Sequence, residues 1–188
     1  MSNGHTNFLG IRVDGDIVGT ERRKAQRTLA EFEPIVRAVL DDPTIASFGW
    51  HQYTPYFNDG EPCVFHTYGF WVRTVDDVAA AAGRGSGDND APAGGDVDED
   101  HDDDEGDDER FELWHHPTLG KVTGHWVDDD YVVDSYTGPD RERHDRCRAL
   151  ETAIEGGAFL DVLLNAFGDH AQVTIRRDGI SVEFYEHD

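Results

Sequence analysis

The chain has 188 residues and a mass of 21.0 kDa, 37% of them hydrophobic and 30% charged, and its 40 Asp and Glu against 16 Lys and Arg leave a net charge of −24. That length suits a single domain with an elaboration, because a separate core ordinarily needs about 100 residues or more. So negative a chain excludes ordinary nucleic-acid binding, which rests on Lys and Arg neutralising phosphates, and no apolar run approaches the roughly 20 residues of a membrane span. The start, Met1-Ser2-Asn3-Gly4-His5-Thr6-Asn7, has neither the basic nor the apolar region of a signal peptide, so the expectation is a soluble cytoplasmic protein without membrane partners.

Residues 8–13 read as a short strand, followed by the turn residues Asp14-Gly15-Asp16. Over residues 20–40 apolar side chains recur at Ala25, Leu29, Phe32, Val36, Val39 and Leu40. That spacing predicts a helix with Thr20 as its N-cap and a kink at Pro34. Residues 45–53 and 62–74 are rich in Val, Phe, Trp, Tyr and Thr, and their connector holds Asn58-Asp59-Gly60. They predict a long β-hairpin. Strict alternation in its second strand puts Val64, His66, Tyr68, Phe70 and Val72 on one face and Cys63, Phe65, Thr67, Gly69 and Trp71 on the other. Both faces are apolar enough for a central strand.

Composition then changes. Residues 83–109 hold six glycines and a run of carboxylates; from Ser86 to Glu109 there are 13 acids and no Lys or Arg, more than half of the net charge. Such a stretch cannot bury enough apolar surface to offset its ordering entropy, so it is expected to be a disordered acidic insertion within a single domain spanning 1–188. After it, residues 111–114, 121–127 and 131–136 are short β-prone runs parted by Pro117, Gly120 and Asp128-Asp129-Asp130. Residues 140–155 place Cys147, Leu150 and Ile154 on one helical stripe, Gly156-Gly157 breaks it, and residues 159–167 carry a shorter stripe of Leu160, Leu163, Ala166 and Phe167. A last hairpin joins residues 171–176 and 180–185 through Arg177-Asp178-Gly179. The expected fold is α+β: an antiparallel sheet of two or more hairpins with about three helices on one face.

Residues that could carry chemistry are plentiful but poorly spaced for it. Cys63 and Cys147 lie far apart and outside any C-x-x-C, and Cys63 with His66 is a lone C-x-x-H where a zinc site needs four ligands. Ten histidines include no H-x-x-x-H pair; those in the folded segments are His51, His66, His115, His116, His125, His144 and His170. The acidic run lacks the D-x-D-x-[DN]-G order of a calcium loop, Gly83-Arg84-Gly85-Ser86-Gly87 is no phosphate loop, and G-x-S-x-G is absent. No catalytic residue, metal ligand or cofactor is therefore assigned.

The basic residues are 14 Arg with only Lys24 and Lys121, and Asp outnumbers Glu 27 to 13. This composition resembles that of salt-in halophiles such as haloarchaea, where dense carboxylates keep a protein hydrated in molar salt. Adaptation of that kind produces the charge without any partner. Two blocks carry a second resemblance. Trp50-His51-Gln52-Tyr53-Thr54-Pro55-Tyr56-Phe57-Asn58-Asp59-Gly60-Glu61-Pro62-Cys63-Val64-Phe65 and the end from Phe167-Gly168-Asp169-His170 through Asp178-Gly179 to His187-Asp188 resemble an uncharacterised family of bacterial and tailed-phage proteins. The resemblance implies a viral or mobile-element origin and supplies no activity or catalytic residues to carry over.

The leading expectation is a non-enzymatic protein-interaction module. It would present Tyr53, Tyr56, Phe57, Asn58 and Asp59 of the hairpin connector to a protein partner, since aromatics are enriched in contact patches. Turn chemistry alone also accounts for these residue types, with the aromatics folded back on the core. Two alternatives stand: a metal-dependent hydrolase or nuclease-like enzyme using Asp, Glu and His of the hairpins, and an acidic DNA-mimic inhibitor using the insertion.

Overall fold

In the computed structural model the described residues are 6–8, 11–13, 24–57, 63–84, 111, 113–127 and 130–185. In chain order the elements are β1 (Thr6–Phe8), β2 (Ile11–Val13), α1 (Leu29–Leu40), β3 (Ile45–Tyr53), β4 (His66–Thr74), α2 (Val75–Arg84), β5 (His115–His116), β6 (Gly120–Val127), β7 (Asp130–Thr137), α3 (Arg141–Glu155), α4 (Leu160–Phe167), β8 (Ala171–Arg176) and β9 (Gly179–Phe184). The fold is α+β. An antiparallel four-stranded sheet runs β4-β3-β8-β9, a second antiparallel sheet runs β5-β6-β7, and β1 pairs with β2. No helix among the described residues is long and apolar enough to cross a membrane.

Both long hairpins form where expected, and α1, α3 and α4 bury one core against the large sheet. Phe32 and Val39 of α1, Cys147, Leu150 and Ile154 of α3, and Leu163 of α4 pack with Phe48, Trp50, Phe70, Val72, Val173 and Ile175. Phe32 meets Phe159 at 4.9 Å, and Trp50 meets Phe167 edge-on at 5.5 Å.

Several boundaries differ from the sequence reading. The single strand expected at 8–13 is a hairpin, with Phe8 opposite Ile11. Helix α1 starts at Leu29, and Thr28 is its N-cap; Thr20 lies outside the described residues. The Glu31 carboxylate accepts from the Thr28 amide at 2.9 Å and its hydroxyl at 3.0 Å, which fixes the start. Upstream, the Arg27 amide donates to the Ala158 carbonyl and Gln26 to the Gly157 carbonyl, each at 2.8 Å. These tertiary bonds hold residues 24–28 off the helix axis, so Ala25 never joins the stripe. Pro34 sits inside α1, which continues past it to Leu40.

The insertion begins later than read, because Gly83 and Arg84 are helical in α2; residues 85–110 lie outside the described residues. Of residues 111–114, Phe111 makes only an isolated bridge to Val72. Gly179 pairs with Arg176 as the first residue of β9, leaving Arg177-Asp178 as the two-residue loop.

Strand β4 is an edge strand, and β3, with β8, is central. Strict alternation in β4 also fails, for a local reason. Gly49 is opposite Trp71 and His51 is opposite Tyr68, so β4 carries one extra residue there, with Gly69 at φ 63°. The bulge shifts the pleat by one residue. Thr67, whose hydroxyl donates to the Ile154 carbonyl at 2.7 Å, shares the helix-covered face with Phe70 and Val72. His66 and Tyr68 therefore turn to the opposite face, with Trp71.

Candidate functional site

Two places gather titratable side chains. The first joins α2 to the small sheet. Asp77, buried, accepts from the Thr74 amide and hydroxyl at 2.7 and 2.8 Å, and the Thr118 hydroxyl lies 3.0 and 3.1 Å from its two oxygens. His116 lies beside them, with Nε2 3.7 Å from the Asp77 carboxylate. An acid, an imidazole and a hydroxyl thus meet in a way no spacing could reveal, yet their bonding is structural. His116 Nδ1 accepts from the Thr118 and Leu119 amides at 3.3 and 3.2 Å, so the ring proton sits on Nε2, which donates to the Val72 carbonyl at 2.9 Å. Both ring nitrogens are used, and the His116 and Asp77 side chains are only 0% and 2% exposed. No substrate reaches them.

Burial pushes the His116 pKa down; the Val72 carbonyl and Asp77 oppose that, while His144 and Arg143 add to it. The unfolded chain therefore binds more protons than the native one below the ordinary histidine value of about 6.5, and stability rises with pH through that window. Unfolding free energy measured by urea titration should fall from pH 7 towards pH 5, and His116→Gln should flatten that slope. Asp42 and Asp169 act in a separate window. Burial opposes the shift in each, but hydrogen bonds from Thr44 and Arg146 to Asp42, and from Thr54 and His170 to Asp169, hold both below the usual carboxylate range. Their contribution is lost only as pH falls below about 4.

The second place is the end of the large sheet where the two sequence blocks meet. Gln52 is fully buried; it accepts from the Trp50 indole at 2.9 Å and donates to the Leu163 carbonyl at 3.3 Å and to that of Gly168. Two residues on, the Thr54 amide donates to Asp169 at 2.8 Å, and the same carboxylate oxygen accepts from the His170 amide at 2.8 Å. His170 has φ 53°, the only positive φ of a non-glycine among the described residues, and follows Gly168 at 81°. This turn lays the His170 ring against Tyr56 at 4.7 Å, tilted by only 20°.

Around that junction the rings are continuous. Tyr53 contacts His66 at 4.6 Å, Tyr68 at 5.3 Å and Tyr185 at 6.1 Å; His51 contacts Tyr185 at 4.5 Å and Tyr68 at 5.4 Å. His51 Nε2 is also 3.2 Å from the Gln172 side-chain oxygen. Burial first, then the neighbouring Tyr185 and Tyr53, raise the Tyr68 pKa above the ordinary tyrosine value, so its hydroxyl stays protonated. The cluster is an aromatic platform.

Of the residues expected to meet a partner, Tyr53 is buried within this platform at 8% exposure, which corrects the expectation that the connector displays it. Tyr56 and Phe57 are 72% and 80% exposed, and Asn58 and Asp59 lie outside the described residues. The structure adds neighbours that sequence reasoning missed. Phe184 stacks on His170 at 6.1 Å and is 73% exposed, and Ile180 and Val182 follow it along β9, also exposed. Alternating apolar residues at Ile180, Val182 and Phe184 were the available signal; only the sheet order shows that they lie on an edge strand, exposed among the described residues.

A groove of about 270 Å³ runs between Val64, Phe65 and the α3–α4 turn. Two of its polar side chains are engaged within the fold: Gln26 accepts from the Asp161 amide, and Glu155 from that of Phe70. Among the described residues no three or more His, Cys, Asp or Glu are grouped to hold a metal ion. Compared with known proteins, the chain matches no family model, no curated protein and no solved structure.

Proposed function

We propose that this protein is a protein-interaction module whose contact surface is the aromatic rim from Tyr56 and Phe57 across His170 to Phe184 and β9. One observation carries the reading: large apolar side chains lie exposed together, with Tyr56 and Phe184 both stacked on the His170 ring and Phe57, Val182 and Ile180 exposed along the chain from them. Contiguous exposed apolar surface of this kind marks contact sites, whereas isolated exposed residues do not. Rigid aromatics also lose little entropy on binding, which favours them as anchors.

The test separates contact from folding. Changing Tyr56 and Phe57 together to Ala removes exposed rings, so the melting temperature should move by only a few degrees, as for surface changes of about 0.5 kcal/mol each. Capture of the host partner should fall at least tenfold, because anchor truncations commonly cost about 2 kcal/mol or more. Retained capture by a stable double variant would overturn the reading. Tyr53 is left intact, since truncating a buried aromatic costs about 3 to 5 kcal/mol and would confuse the two effects.

A further inference from the structure

The two edges of the large sheet are treated differently. Strand β4 is bulged at Gly69, and its outer groups are engaged: the Val72 amide by the Phe111 carbonyl, and the Phe70 amide by Glu155 at 2.8 Å. Strand β9 has no bulge, no proline and no lysine, the devices that ordinarily guard an open edge.

The direction of its hydrogen-bonding groups follows from the register. The Tyr185 amide donates to the His170 carbonyl at 2.7 Å, so that pair is a hydrogen-bonded one, and every second pair inward shares its phase. Gln172 with Glu183, Thr174 with Ser181 and Arg176 with Gly179 are thus bonded across β8 and β9. The amides and carbonyls of Ile180, Val182 and Phe184 point outward, and among the described residues nothing bonds them. Their side chains lie on the helix side of the sheet, opposite Ile175, Val173 and Ala171, and are exposed. Among the described residues, one short segment therefore presents both unpaired backbone and uncovered apolar surface.

We propose that a second copy of this chain occupies this edge, with β9 pairing antiparallel to β9 about a two-fold axis at Val182, to give a continuous eight-stranded sheet. This rests on reading the β9 rim as a contact surface. The segment matches itself in that register. Val182 faces Val182, Ile180 faces Phe184, and Ser181 faces Glu183, so within β9 apolar side chains adjoin across the seam and no carboxylate opposes another. The neighbouring two-fold registers are poorer: an axis at Glu183 sets the two carboxylates against each other, and one at Ser181 leaves Phe184 beyond the end of the partner β9. In the Val182 register all three outward residues pair, forming six backbone hydrogen bonds. The seam is small beside the roughly 1,600 Å² of a standard interface, so the dissociation constant should be on the order of micromolar. With −24 on each copy, dimerisation should strengthen in molar KCl.

Sedimentation equilibrium of the full chain at low and molar KCl gives the mass. A dimer that tightens with salt is expected; a monomer throughout the micromolar range overturns the assignment. Val182→Pro removes an outward amide that β8 does not use, so a folded monomer is expected, and a dimer of unchanged affinity overturns it. Register is read by oxidative cross-linking in a Cys63→Ser background, Cys147 being buried. Val182→Cys should link two copies, whereas Ser181→Cys, which faces Glu183, should not; equal cross-linking of both overturns the Val182 axis. If the wild type is monomeric but Val182→Pro abolishes capture of a host partner, the copy is replaced by a foreign strand and the contact-surface reading survives. If capture is also unchanged, both fall.

Discussion

Gly49→Val is expected to leave the chain unfolded at 25 °C, and Gly49→Ala to cost at least about 3 kcal/mol, the upper end of ordinary overpacking. A Cβ at Gly49 would sit 2.2 Å from the Val173 carbonyl oxygen and 2.6 Å from the Trp71 ring. The ring could move. The carbonyl cannot, because it belongs to β8, whose ladder with β3 forms the middle of the sheet. Pairing Gly49→Ala with Trp71→Ala should therefore bring no rescue, since only the softer of the two clashes is relieved. Urea unfolding of the single and double variants is the measurement. A midpoint for Gly49→Ala within error of the parent would show that the two strands can part there without loss.

Asp77→Ala should destabilise by about 3 to 5 kcal/mol, the usual result of removing one member of a buried charged network. Thr74 ends β4 and caps α2, and Asp77 completes a reciprocal pair with it: the Asp77 amide donates to the Thr74 hydroxyl at 3.2 Å, and the carboxylate accepts the Thr74 amide. Thr74 is fully buried, so without Asp77 its amide has no water to turn to. The loss would also free Thr118, and with it the tie to the small sheet, whose next link is the Arg143 guanidinium on the Thr118 carbonyl at 3.2 Å. Asp77→Asn keeps one acceptor oxygen and should fall between. Thermal melts that place Asp77→Ala within about 1 kcal/mol of the parent would mean that the network contributes little beyond packing.

Local chemistry was legible wherever a rule acts over a few residues. The β-prone composition of residues 45–53 and 62–74 with their turn residues Asn58-Asp59-Gly60, the Asp178-Gly179 turn, and the stripe of Cys147, Leu150 and Ile154 were enough to place two hairpins and α3. The start of α2 was equally readable in Thr74-Val75-Asp76-Asp77, a capping pattern overlooked because the acidic composition that follows dominated the reading. The Gln52 side chain shows the opposite limit. Nothing in Trp50-His51-Gln52 says that a polar group between two aromatics will be fully buried; that depends on the carbonyls of Leu163 in α4 and of Gly168 just past its end, 111 and 116 residues later in the chain, which accept from it.

Residue order alone settles the class, α+β, and the residue types available at the rim. Both follow from short-range periodicity and turn chemistry, which act whatever the rest of the chain does. Tertiary structure alone decided which aromatics are buried and which displayed. A one-residue bulge at Gly69 moved His66 and Tyr68 to the other face, the Asp169 turn brought His170 under Tyr56, and the order β4-β3-β8-β9 left the apolar side of β9 uncovered. Each of these depends on strand order or on contacts between residues far apart in sequence, so no local pattern encodes it, and the candidate site exists only where those contacts coincide.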